Sequence, residues 1–290
     1  MTAEFDDLRT LIAEELSLPV DPRVAATAAA IAAKHGAASR ALLFYGSCLR
    51  QKQLDGLMLD FYLIVSDYRS AYDERWLAAA NRLIPPNVFY FEHDGLAAKY
   101  AVLSEADFNR LNGPETSSVS VWARFAQPSR LVWAANEQAR DRAIDAVSRA
   151  APTLLAAAGP NSAEPPLDIW RRAFALTYSA ELRAERAGRA ASVVDLEPKR
   201  YERFSVPALT VAKALRPAGG WAWRRIEGKT LSVLRLAKAS FTFAGGADYI
   251  AWKINRHAGT KIELKPWQRR YPLLAAISLL PRLLKSGAVR

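Results

Sequence analysis

The sequence predicts an α+β chain, with a mixed sheet in its first half and helices through most of the rest. Three observations carry this. Short runs rich in aromatic and branched residues alternate with helical stretches as far as residue 157. A segment of small, polar and proline residues, 158–166, then reads as a linker. Beyond it the pattern is helical, and only 260–264 offers a candidate strand. The expected organisation is a mixed-sheet domain over 1–157, a helical domain over 167–255 and a basic amphipathic tail over 256–290.

Taken in order, 5–17 and 22–35 read as helices. The second is entered through Asp21-Pro22, an N-cap followed by proline in the first turn, and closed by Gly36. Its alanine-rich body suits close packing on a sheet. Strands follow at 41–45 and 59–65. Residues 67–76 lead into a helix that ends near Leu83, where Pro85-Pro86 stops it. Strands at 87–92 and 99–104 flank His93-Asp94-Gly95, and Ser104 caps another helix. A helix over 118–125, a strand over 129–133 and a helical stretch over 136–157 complete the first part. After the linker, helices are expected at 167–189, 196–215, 229–243 and 267–284. The last carries Leu273, Ile277, Leu280 and Leu284 on one stripe flanked by Arg269, Arg270, Arg282 and Lys285, with Pro281 as a kink.

Charge is segregated along the chain. Residues 213–290 carry a balance of +13, against −2 for residues 1–212. Such a block meets nucleic acid, meets an anionic membrane surface, or is simply a solvated face. Cys48 is the single cysteine, which excludes an intrachain disulfide and a cysteine-based zinc site. The acidic start (Glu4, Asp6, Asp7, Glu14, Glu15) has the wrong sign for a signal or transit peptide. The apolar stretch 271–281 falls well short of the ~20 residues a membrane span needs. A cytoplasmic chain, soluble or peripheral on a membrane, is therefore expected.

The candidate chemistry lies between the first two strands. The strand 41–45 stops on Gly46-Ser47, where glycine allows close approach to a polyphosphate and the amides and hydroxyl can hold its oxygens. The next strand opens on Asp60 among apolar neighbours, a costly place for a carboxylate unless it meets a cation. Mg²⁺ carrying nucleotide phosphates is the obvious one. Asp55, before Gly56, reads as a turn aspartate or a further metal ligand. Lys99 reads either as a phosphate contact or as a lysine protecting an edge strand.

A strand ending in Gly-Ser, with Asp on the next strand, resembles the nucleotidyltransferase superfamily that includes DNA polymerase beta. The usual pattern there is Asp-x-Asp or Asp-x-Glu, and Tyr62 occupies the second acidic slot here. Several further fragments fall in the order of one family: Tyr45-Gly46-Ser47, Leu59-Asp60-Phe61, Lys99-Tyr100, Trp122 with Arg124 and Pro128, and the run from Tyr178 to Arg183. They resemble the mitochondrial-type phosphatidate cytidylyltransferases, the mitochondrial translocator assembly and maintenance family, in a bacterial branch. The resemblance covers most of 40–255, including 236–246 and 249–253 in the basic region. Departures are Ala101 for glycine, Gln127 for lysine, Ala180-Glu181 for Gly-Asp, and a Trp-His-Asn signature reduced to Trp76 and Asn81.

The resemblance implies a nucleotidyltransferase-like sheet domain and an Mg²⁺-dependent reaction of CTP with phosphatidic acid, giving CDP-diacylglycerol and pyrophosphate. It implies catalytic roles for Asp60, Glu181 and Arg183, and nucleotide or phosphate binding by Tyr45, Gly46, Ser47, Lys99 and Arg124. Asp60, with Asp55, would hold metal. The basic C-terminal part would face an anionic membrane surface, and no nucleic-acid partner is expected, since no RNA-binding module is recognisable. Two other readings stay open: a nucleotidyltransferase with an RNA, small-molecule or protein acceptor, and a catalytically silent member that binds a nucleotide or a membrane.

Overall fold

The computed structural model describes residues 3–51, 53–159, 163–181, 193–242 and 265–270. Two antiparallel strands, β1 (Ser39–Tyr45) and β2 (Met58–Val65), lie at the middle of a five-stranded mixed sheet. β3 (Asn87–His93) and β4 (Leu96–Ser104) extend it beyond β2, and β5 (Ser129–Ala134) beyond β1, in the order β3-β4-β2-β1-β5. Among the described residues, only β2 and β4 run parallel; the other neighbours are antiparallel. β4 starts three residues earlier than the sequence suggests. Asp94 and Gly95 both adopt positive φ, the two-residue turn that matches strand twist, so pairing begins at His93–Leu96.

Alternation along the strands sends side chains to two layers. Leu42, Phe44, Leu59, Phe61, Leu63, Tyr100 and Val102 bury against α2 (Pro22–Lys34), whose N-cap Asp21 accepts from the Arg23 amide as expected. Leu43, Tyr62, Ile64, Ala101 and Leu103 bury on the other face. There they meet α1 (Ala3–Leu16), α5 (Glu105–Asn112), α6 (Trp122–Phe125), α7 (Glu137–Ser148) and α8 (Ala150–Ala158). On the far side of the linker, α9 (Pro166–Ala180) and α10 (Pro198–Ala214) send Ile169, Trp170, Phe174, Tyr201, Phe204 and Ala212 into that same core. Arg200 of α10 pairs with Glu15 of α1, Nη2 to Oε1 at 2.9 Å, and donates to the Ala126 carbonyl at 3.1 Å. The remaining helices among the described residues are α3 (Tyr68–Ala71), α4 (Arg75–Leu83), the long α11 (Trp221–Thr242) and the short α12 (Pro266–Arg270). Among the described residues, no helix is long and apolar enough to cross a membrane.

Several expected boundaries are corrected, each for a local reason. The helix over 118–125 shrinks to α6, because Thr116 Oγ1 accepts from the Ser118 amide and the Ser118 and Ser120 hydroxyls bond each other, competing with helix. The stretch 136–157 divides at Arg149, and Pro152 falls in the first turn of α8, where its missing N–H costs least. α9 stops at Ala180, so Glu181 is extended rather than helical. α11 begins eight residues before the expected 229, running through Gly228. That glycine is not a break: a Cβ there would collide with the Ala180 carbonyl, so its absence lets α11 close on the end of α9. The candidate strand 260–264, the leucine stripe after 271 and Arg183 lie outside the described residues.

Candidate functional site

The site grows from the turn after β1. Gly46 has φ 91° and ψ −167°, a region that residues with a Cβ rarely enter. A Cβ there would also lie 3.1 Å from Asp60 Oδ2, so both backbone and neighbour demand glycine. Ser47 is exposed and opens a short 3-10 turn, Ser47–Arg50. The turn is pinned to the start of β2 by Cys48 Sγ donating to the Met58 carbonyl at 3.3 Å.

Register then brings the charged groups together. Asp60 lies opposite Tyr45 on one side and Lys99 on the other. Its Oδ1 sits 3.0 Å from Lys99 Nζ. Because β4 is an interior strand, edge protection does not explain Lys99. Arg124, on α6, donates to the Ser120 carbonyl and lies 3.6 Å from Glu181, whose side chain is only 6% exposed. Burial alone would lower the Arg124 pKa, but Glu181 first, and then Tyr62, Tyr45 and Asp60, hold it above its ordinary value. Tyr45 packs on Tyr62 and Phe125, with ring centroids 5.3 and 6.0 Å away. Burial pushes the Tyr45 phenol well above its usual range, and Asp60 and Tyr62 add to this. Burial also raises Tyr62, although Arg124 and Arg235 oppose it. Both phenols therefore stay neutral near pH 7 and can donate hydrogen bonds.

These side chains enclose a cavity of about 200 Å³, lined among others by Tyr45, Tyr62, Lys99, Ser120, Arg124 and Arg235. Among the described residues, three cations face it, and two carboxylates, Asp60 and Glu181, are paired to two of them. Such an arrangement suits an incoming anion with several oxygens.

The fold thus brings together Tyr45, Gly46, Asp60, Lys99, Arg124 and Glu181, with Ser47 exposed next to Gly46. It does not gather Asp55, which forms an ion pair at 3.1 Å with Arg23 on α2, the helix covering the opposite face of the sheet. Asn81, one of the fragments carrying the resemblance, sits away from these groups in a structural role. It accepts from the Asn87 amide at 2.6 Å and donates to the Val102 carbonyl at 3.0 Å, joining α4 to two strands. Sequence reasoning missed Arg235 and Lys238. Arg224, Gly228, Leu231 and Arg235 recur at helical spacing on the more buried side of α11, and arginines at such positions were the available signal.

Among the described residues, no group of three or more His, Cys, Asp or Glu side chains gathers to hold a metal ion. Mg²⁺ asks for less, since one or two carboxylates with substrate phosphates and water complete its shell. Asp60 meets that demand: Oδ1 is steadied by Lys99, while Oδ2 faces the glycine turn. No protein-family model matches the chain, and a search of curated proteins finds no match either.

Proposed function

We propose that the chain is a nucleotidyltransferase that moves a cytidylyl group from CTP to phosphatidic acid, forming CDP-diacylglycerol and pyrophosphate. The observation that carries this reading is that Asp60 Oδ2 stands 3.1 Å from where a Cβ on Gly46 would lie, beside Lys99, Arg124 and Arg235. A glycine turn for a polyphosphate, one carboxylate and a surplus of cations support the transfer of a phosphoryl-linked group between two polyanions. CTP and phosphatidic acid come from the family resemblance of the fragments around these residues. The basic block after residue 213 supports docking on an anionic membrane surface.

A phosphate monoester oxygen attacks the α-phosphorus of CTP, and the bond to the bridging oxygen breaks, with its electron pair leaving on pyrophosphate. The ester has a second pKa of about 6, so it is already an anionic nucleophile at neutral pH and needs no protein base. That requirement fits a site whose second acidic slot is Tyr62. Lys99 orients Asp60, and Arg124, held by Glu181, offsets the charge gathered as the two substrates meet. Bound Mg²⁺, held by Asp60, would stabilise the negative charge developing on the leaving pyrophosphate.

A second reading, a silent nucleotide-binding member, is favoured by Tyr62 and by the engagement of Asp60 with Lys99. The deciding experiment is Mg²⁺-dependent pyrophosphate release from each of the four nucleoside triphosphates, with phosphatidic acid or diacylglycerol vesicles. The proposal predicts turnover with CTP and phosphatidic acid, falling below about pH 6, and none with diacylglycerol. CTP binding without turnover would establish the silent reading instead.

A further inference from the structure

Arg235 differs from the other cations lining the cavity. Lys99 is matched by Asp60 and Arg124 by Glu181, whereas Arg235, among the described residues, forms no ion pair. Its Nε donates to the Pro85 carbonyl at 2.7 Å, leaving the two terminal nitrogens of the guanidinium for another partner. The side chain is held where it is by its helix. Gly228 lets α11 close on the Ala180 carbonyl, and one helical turn beyond Arg235, Lys238 Nζ donates to the carbonyls of Ile84 and Pro86, the latter at 2.8 Å. Burial disfavours the charge of Arg235 more than the nearby Glu181 and Glu227 offset it, and that cost falls when an anion arrives.

The size of the cavity selects among anions. About 200 Å³ lies below the roughly 300–1,000 Å³ of pockets that engulf drug-sized ligands, so a whole nucleoside triphosphate does not fit. A single phosphate with a short carbon stub does. A planar guanidinium beside a lysine and a second arginine matches the oxygens of such a group, and the neutral Tyr45 and Tyr62 add hydrogen-bond donors. The triphosphate is left to the open turn at Gly46 and Ser47. We propose that this cavity is the acceptor subsite of the transfer reaction, and that Arg235, with Lys99 and Arg124, binds the terminal phosphate monoester. The subsite rests on the function proposed above, but its ligand chemistry can be tested without turnover.

The test is calorimetric titration of the full chain with inorganic phosphate, sn-glycerol 3-phosphate, monomeric dioctanoyl phosphatidic acid and, separately, CTP. It compares the wild type with Arg235→Gln, which keeps a donor for Pro85, and with Arg225→Gln, an exposed arginine on the same helix. The expected result is that R235Q binds both phosphate esters at least about tenfold more weakly, with CTP affinity changed less than about twofold and R225Q unchanged. Both esters should bind more tightly than inorganic phosphate; equal affinities would overturn the assignment to an ester acceptor. Wild-type ester binding by R235Q, or equal losses for ester and CTP, would overturn the role of Arg235. If R235Q melts early, Arg235→Lys keeps the charge without the fork and should still weaken ester binding; wild-type affinity there would also overturn the proposal. A chain that binds esters through Arg235 yet releases no pyrophosphate from CTP would retain the subsite and lose the transfer reaction.

Discussion

Asp60 and Lys99 face each other across the single parallel ladder of the sheet, with carboxylate oxygen and ammonium nitrogen 3.0 Å apart. Asp60, half-buried near the start of β2, keeps its charge because a second strand supplies the opposite one. The pair leaves the second carboxylate oxygen toward the Gly46 turn, so one residue serves both the ion pair and the turn.

Asp60→Asn keeps the shape and removes the charge. Lys99 is half-exposed, so the lost pair should cost no more than about 1 kcal/mol of stability. Pyrophosphate release, by contrast, should fall by at least about a hundredfold if the carboxylate helps hold metal. Near-normal turnover at ordinary Mg²⁺ would remove Asp60 from the site.

Gly46→Ala tests the turn. Alanine at φ 91°, ψ −167° should cost on the order of 1–3 kcal/mol of backbone strain, and its methyl would press on Asp60 Oδ2. A lowered melting temperature together with weakened CTP binding is expected. Unchanged melting and binding would mean that the turn relaxes freely and holds no phosphate.

Glu181→Gln should leave the Arg124 guanidinium short of negative charge, for a loss of about 1–3 kcal/mol in chemical denaturation. Adding Arg124→Met to E181Q should recover part of that loss, since the stranded charge is then gone as well. Strict additivity of the two substitutions would show that the residues are not energetically coupled.

Lys238 links stability to pH. Burial first, and then Arg235, lower its pKa from 10.5 to about 7. Between these values the unfolded chain binds a proton that the folded one does not, so stability should rise as pH goes from about 7 towards 10.5. Lys238→Met should flatten that rise in thermal melts at pH 7.5 and 9.5. An identical slope in the variant would assign the pH dependence elsewhere.

Much of the frame was legible because local chemistry and tertiary packing agree. Asp21 and Ser104 cap helices as read, and the apolar runs at 41–45 and 59–65 are the central strands. The pairing of Asp60 with Lys99 was not legible, since it depends on which strands become neighbours and in what register. Glu181 and Arg124 were singled out separately, but their contact needs α9 to end at Ala180, and nothing local in the run 178–183 announces that end. Arg235 was hidden for a different reason. The expected helix opens at residue 229, just past Gly228, whereas that glycine lies inside the helix at the place where two helices touch.

The ion pair between Glu15 and Arg200 joins residues 185 positions apart, and it sets a schedule for the chain as it is made. At roughly 5–20 residues per second, Glu15 is added to the chain some 10–40 s before its partner. Glu181 and Arg235 are also late arrivals, so the sheet and its first helices wait without α9 and α10 while the groups that complete the cavity are still being translated. Ribosome-bound chains stopped at residue 160 should therefore be cut readily by protease, while chains extended past 242 by a tunnel's length should resist it. Equal resistance at both lengths would mean that the N-terminal sheet closes on its own.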